Sequence, residues 1–309
     1  MKTDVTSAAQ QVSTRRAWWL ATRPFSFPAS IVPVLVGTAA AAESDFDPLL
    51  FVLAFAGGLL IHAGTNLATD FFDFTHGVQP TETLGGGNLR SGLLKPSAVH
   101  KAAIATFALG SLCGLAIIQI IGWEDGWPIL AAGVFSVLAG YFYTAKPLMY
   151  GRRGLGEVMV FVFMGVIMVM ASAYVQTQQL TWRDFFASLP VGILVANILH
   201  ANNLRDIEND RARHKITIAT LIDRPAADVL LWAFTIAAYA VVAVTVALGE
   251  MTPWCLLVVL SVPAAYRMVK ALELREARAL NLLVRNSAQL HMHFGLLLAL
   301  GYAIHAAVG

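Results

Sequence analysis

The stretch LLFVLAFAGGLLIHAGTNLATDFFDFTHG, residues 49–77, decides how this chain is read. Its first part, 49–69, has no acidic or basic side chain besides His62. That is about the 20 residues a helix needs to cross a bilayer core. Its last part sets Asp70 and Asp73 at the end of that apolar run. Eight further stretches are as apolar: 17–42, 101–122, 127–145, 155–176, 185–204, 226–248, 252–270 and 286–307. Arg23, Pro24, Pro28 and Pro33 interrupt the first of them and predict a kink there.

Composition agrees. Of 309 residues, 57% are hydrophobic and only 13% charged, against about 25% charged in soluble domains. So few charges cannot cover a water-soluble surface of this size. Disorder, a secreted disulfide scaffold and a basic nucleic-acid module are excluded. Cys113 and Cys255 lie in apolar stretches and read as small buried residues. Residues 1–16 are polar, so no secretory signal is expected. The expectation is an all-α polytopic membrane protein of the cell inner or plasma membrane. Nine transmembrane helices would surround a central cavity opening to the cytoplasm.

Charge orients the helices. Lys and Arg fall on alternate connections, and 20 of the 21 lie on one side; Arg183 is the exception. Under the positive-inside rule that side is cytoplasmic. Glu43, Asp45, Asp47, Glu124, Asp125, Asp184 and Glu250 mark the other side. The N-terminus is then cytoplasmic and the C-terminus opposite. Trp18, Trp19, Trp123, Trp127, Trp182 and Trp254 sit at span ends as interface anchors.

Two acidic clusters carry the chemistry. Asn66, Asp70 and Asp73 stand at offsets 0, +4 and +7 at the end of helix 2. Asn202, Asp206 and Asp210 stand at 0, +4 and +8 at the end of helix 6, with Asn209 at +7. Each set predicts one helical face at the cytoplasmic end. Four helices separate the two, as in a duplicated four-helix unit. The chain therefore reads as a single domain, 1–309, in two halves of about 17–145 and 155–270 plus helix 9. Loops 74–99 and 205–224 would cap the cavity.

Adjacent carboxylates repel each other unless a cation sits between them. Oxygen-only ligands select a hard cation, Mg²⁺ rather than Zn²⁺, and Mg²⁺ is typically shared with substrate phosphates. Asp70, Asp73, Asp206, Asp210 and Asn66 are the candidate metal ligands, and the four Asp are also catalytic candidates. The expected ligand is a diphosphate. Cations beside it would ease its departure: Arg205 and Lys215 flank the second cluster, and Lys146 in YTAKPL is a third, catalytic candidate. Arg23, near the cytoplasmic end of helix 1, and Arg90, in the Gly-rich segment 85–96, are further substrate-binding candidates, with Tyr143 and Asn202. That segment lacks the Gly-Lys-Ser/Thr of a Walker loop. Glu157 either pairs with a loop Arg or helps bind an acceptor. His291 and His293 are two apart and share no helical face.

A secondary transporter is the competing class. The acidic residues gather at one end, however, and both clusters point to the same side, unlike the midplane sites of inverted repeats.

The chain resembles the UbiA superfamily of intramembrane aromatic prenyltransferases, on Asn66-xxx-Asp70-xx-Asp73 and Asp206-xxx-Asp210. Within it, the resemblance is to the branch that prenylates 1,4-dihydroxy-2-naphthoate in menaquinone synthesis. It is carried by 23–39, 64–74, 91–94, 143–165 and 202–217. That branch often has Gly ahead of Lys215, where this chain has His214. The resemblance implies Mg²⁺, a polyprenyl diphosphate donor with its tail toward lipid, and an aromatic acceptor. It implies no nucleic acid, and no protein partner is inferred. 4-Hydroxybenzoate, homogentisate, a tetrapyrrole or a lipid alcohol are the alternative acceptors. Phe71 and Tyr143 are candidates to face the allylic cation.

Overall fold

A computed structural model describes residues 13–41, 46–77, 88–273 and 277–308. Glu43, Asp45 and part of the expected cap loop, 78–87, lie outside the described residues.

The described chain is helical, with one isolated bridge between Arg153 and Ile216. We number the helices α1 (Thr14–Ala21), α2 (Pro28–Ala40), α3 (Pro48–Thr75), α4 (Pro96–Ile121) and α5 (Trp123–Phe142). They continue with α6 (Gly156–Thr177), α7 (Trp182–Arg205) and α8 (Ile207–Ala212), then α9 (Ile218–Ala247), α10 (Pro253–Glu273) and α11 (Ala277–Val308). Among the described residues eight helices are long and apolar enough to cross a membrane, or nine if the bent pair Thr14–Ser26 and Pro28–Ala40, angled by 51°, counts as one span. The bend falls between Ser26 and Pro28, with the left-handed Arg23 a few residues ahead of it, inside the proline-bearing stretch where a kink is predicted.

Local chemistry sets the helix starts. Pro48 opens α3, and the Asp47 carboxylate accepts from the amides of Leu49 and Leu50 at 2.8 and 3.0 Å. Reciprocal capping boxes start α7 at Thr181/Asp184 and α9 at Thr217/Thr220.

The second span runs on past 69 to Thr75, so Asp70 and Asp73 share its last turns, as their spacing predicts. Two expectations are corrected. The segment 205–224 carries α8 and the start of α9. The single face expected for Asn202, Asp206 and Asp210 is broken at Asp206 (φ −95°, ψ 6°), where α7 stops before α8 begins.

The main apolar core joins α2, α7, α9, α10 and α11, with Leu194, Leu204, Leu231, Leu283 and Phe294 buried in it. A second cluster holds α1, α3 and α4 together through Ala17, Leu67, Ala68, Val99 and Phe107. The helix α7 is the central one: 72% of its most apolar window is buried, against 22% for α4 and α5. Its Gly192 meets Gly165 of α6 so closely that a Cβ on Gly165 would lie 2.2 Å from Gly192 Cα. Gly165 lies in a π-helical stretch of α6, Phe161–Ile167.

Candidate active site

The ends of α3 and α7 bring the two acidic clusters to one place, and each of the four Asp has a basic partner. Arg23 pairs with Asp70. Arg152 Nε lies 3.9 Å from Asp73 Oδ1. Arg205 grips Asp206 with two parallel hydrogen bonds, Nε to Oδ1 at 2.8 Å and Nη2 to Oδ2 at 2.6 Å. Lys215 Nζ donates to Asp210 Oδ2 at 2.9 Å.

Asp70, Asp206 and Asp210 are buried, and Asp73 is half-buried. Burial pushes the Asp210 carboxyl above the usual carboxylate range, against the pull of the Lys215 ammonium. The carboxylates of Asp206 and of Asp73 push it the same way, which places the two clusters within electrostatic reach of each other.

The pairing leaves donors to spare. Arg23 Nε, Arg152 Nε and Arg152 Nη2 are buried and make no hydrogen bond. Buried polar N–H groups rarely go unmatched. Three of them beside the acidic clusters suit a ligand with several anionic oxygens. Burial, then Arg152 and Lys146, holds His76 below its ordinary value, so no further cation is supplied at neutral pH.

Below this charged rim lies a cavity of about 180 Å³. Arg23, Asn66, Thr69, Tyr143 and Asn202 line its polar end; Phe25, Ile61, Phe163 and Met164 line its apolar part. A larger and almost wholly apolar cavity of about 370 Å³ adjoins it between α3, α4, α5 and α6. The two share Ile61, Ser136, Phe163 and Met168.

The remaining candidates fall as follows. Asn66 spends its amide N–H groups on Thr22 O (3.0 Å) and Ser26 Oγ (3.3 Å), leaving its oxygen as the only possible ligand atom. Asn202 Oδ1 accepts from Arg205 at 2.8 Å. Lys146 is exposed, and Arg152 from the same connection stands at Asp73 instead. Arg90 is exposed and is not part of the cavity wall. Phe71 stacks on His100 at 4.3 Å. One residue on from Asp70, it is turned about 100° away on the helix, so of the two aromatic candidates only Tyr143 lines the cavity. Among the described residues Glu157 pairs with no Arg: Asn203 Nδ2 donates to it at 2.9 Å and His200 Nδ1 lies 3.5 Å away. His291 is buried and His293 exposed, so they share no site. Cys113 and Cys255 are free thiols.

Sequence reasoning missed Arg152, hidden in the GRRG run 151–154 as one more loop cation, and His62. The signal for His62 is its spacing: His62, Asn66 and Asp70 repeat every four residues up α3.

Among the described residues no three His, Cys, Asp or Glu side chains already converge as a metal-ligand set. The donors available are all carboxylate or amide oxygens, which fit a hard divalent cation.

Known proteins resemble this chain over most of its length. The UbiA prenyltransferase family model matches residues 30–292. The chain is 34% identical over 303 residues to the 1,4-dihydroxy-2-naphthoate octaprenyltransferase of Bacillus subtilis (strain 168), covering 96% of each. It is 34% identical over 256 residues to the protein of the same name from Mycobacterium tuberculosis, covering 81% of this chain and 84% of that one. A solved structure of a UbiA homolog from Archaeoglobus fulgidus, bound to GPP and Mg²⁺, shares the fold with a TM-score of 0.63. Its sequence identity is 14%, over 91% of this chain and 99% of that one.

Proposed function

The chain belongs to the UbiA prenyltransferase family, and on that premise we propose that it transfers a polyprenyl group from polyprenyl diphosphate to 1,4-dihydroxy-2-naphthoate, giving demethylmenaquinone in its reduced, quinol form. It is an integral membrane prenyltransferase. The acceptor and the metal dependence are our reading. The observation that carries it is the set of buried, unmatched guanidinium N–H groups of Arg23 and Arg152 beside four carboxylates. That combination suits a metal-bridged diphosphate, and relatives that this chain resembles are named for the naphthoate reaction.

Asp70, Asp73, Asp206 and Asp210, with the Asn66 oxygen, would hold Mg²⁺. Bound there, Mg²⁺ supplies positive charge that offsets the developing charge on the leaving diphosphate. The chain's own residues do the rest. Arg23, Arg152, Arg205 and Lys215 bind the diphosphate oxygens and favour their departure. The apolar cavity takes the prenyl tail, and the shared wall of Ile61, Phe163 and Met168 sets the allylic carbon at the junction. The Tyr143 ring faces the allylic cation there. The C–O bond to diphosphate breaks to leave that cation, and the acceptor's ring carbon then forms the new bond to the allylic carbon. Loss of CO₂ from that ring carbon then restores aromaticity. The basic side, with the N-terminus and the site, faces the cytoplasm in this reading, and the C-terminus lies opposite.

The test is an assay of purified protein with labelled polyprenyl diphosphate and a panel of acceptors, with and without Mg²⁺. Product with dihydroxynaphthoate only when Mg²⁺ is present is expected. Product with 4-hydroxybenzoate but not dihydroxynaphthoate overturns the acceptor, and turnover without divalent metal overturns the clamp.

A further inference from the structure

Arg23 stands in an unfavourable place. Its backbone is left-handed, at φ 55° and ψ 60°, where a non-glycine residue is strained by about 1–2 kcal/mol. It also precedes Pro24, which disfavours helical conformations at the residue before it. Such strain persists only where the surroundings over-determine it.

The surroundings come from one face of α3. His62, Asn66 and Asp70 follow one another at four-residue steps. Asp70 takes the guanidinium itself. Asn66 instead grips the chain on both sides of Arg23, donating to the Thr22 carbonyl and to Ser26 Oγ. Ser26 Oγ in turn lies 2.8 Å from the Arg23 carbonyl. His62 bridges two hydroxyls on the same bend: Nε2 is 3.3 Å from Ser26 Oγ, and Nδ1 is 2.8 Å from Ser30 Oγ.

The proton directions follow. The Ser26 hydroxyl must donate to the Arg23 carbonyl, which can only accept. Its oxygen is then an acceptor for Asn66 and for His62 Nε2–H. With its proton on Nε2, the neutral imidazole accepts at Nδ1 from the Ser30 hydroxyl. Every member has a partner, and His62, Ser30 and Asn66 are buried. A satisfied buried network of this kind specifies one geometry.

We infer that His62, acting through Ser26 and together with Asn66, is a positioning residue for Arg23. The network holds the left-handed turn so that the guanidinium meets Asp70 with its Nε still unspent for the diphosphate. The inference rests on the reading of Arg23 as a diphosphate-binding cation.

A double-mutant cycle in the full-length protein tests it. His62→Phe keeps an aromatic ring but breaks both ring hydrogen bonds; Ser26→Ala removes the hinge oxygen. Each is measured alone and in an Arg23→Ala background. The readouts are donor and acceptor KM, kcat, and the rise in melting temperature caused by inorganic pyrophosphate with Mg²⁺. His62→Phe is expected to lower kcat/KM for the donor roughly 10–100-fold, the scale of a misplaced binding group, with acceptor KM unchanged. It should also shrink the pyrophosphate shift. His62→Gln, which can still reach Ser26, should recover most of the loss. In the Arg23→Ala background the further loss should be under about twofold, because coupled residues are not additive. Equal losses in both backgrounds, or a change confined to acceptor KM, overturns the inference. Should His62→Phe not fold, the Ser26→Ala cycle decides by the same criterion. A wild-type protein that neither turns over the donor nor responds to pyrophosphate sinks the functional reading instead.

Discussion

The two acidic clusters solve one problem in different ways. In the second, the cations are neighbours in sequence: Arg205 adjoins Asp206, and Lys215 lies five residues after Asp210. In the first they come from afar. Arg23 is 47 residues before Asp70, and Arg152 reaches Asp73 from the connection between α5 and α6. One cluster is assembled by its own stretch of chain and the other only by the closed helix bundle. The first cluster is also where donors are left over, on Arg23 and Arg152. The remotely assembled half therefore has whole nitrogen atoms unspent for a new anion, on Arg23 and Arg152, whereas the Arg205 guanidinium and the Lys215 ammonium already have partners.

The largest effect probes what the two halves share. Chelation of divalent metal with EDTA should abolish turnover, and Mg²⁺ should restore it, since both halves offer only oxygen ligands. Asp70→Ala and Asp206→Ala should each remove more than about 100-fold of activity. Near-normal rates in either would mean that one cluster is dispensable. Next come the cations. Arg152→Ala should cut kcat/KM for the donor by about tenfold, the scale of one electrostatic group at such a site. Lys146→Ala, exposed on the same connection, should change it by less than about threefold. A larger loss from Lys146→Ala would reverse the assignment. The smallest effect belongs to the local half. His214 has φ 53°, a conformation glycine adopts freely. Replacing it with Gly should raise stability by up to about 1 kcal/mol, read from thermal or denaturant unfolding, without loss of activity.

This contrast also explains what was legible in the sequence. The spans were legible because each is a long apolar run, and the bend in the first because its prolines are written there. The second cluster's partners were legible because Arg205 and Lys215 sit beside their carboxylates. For the first cluster, the carboxylates could be read from their spacing, but their cations could not be ranked. Lys146, Arg152 and Arg153 look alike in a list of loop charges. Only the path of the connection after α5 places Arg152 at Asp73. Phe71 was misplaced for a related reason: proximity in sequence to Asp70 is not proximity on a helix, and its ring went to His100. His62 was legible only as periodicity, since its partners belong elsewhere in the chain, Ser26 to the turn before α2 and Ser30 to α2 itself.

The wide turn in α6 has a consequence for the shape of the interior. Met159, Phe163, Ile167, Ala171 and Val175 line the two cavities, and so do Val160, Met164, Met168 and Ser172. Both rows advance by fours. On an α-helix of 3.6 residues per turn, each such step drifts by about 40°, so four steps would swing a row by about 160°, from the interior out to lipid. The π-helical stretch at Phe161–Ile167 turns more slowly per residue and drifts the other way. The two drifts oppose each other, so the rows stay closer to one side of α6 over a length of about 20 Å than an unbroken α-helix would allow, with less need of the supercoiling that otherwise keeps one stripe facing inward.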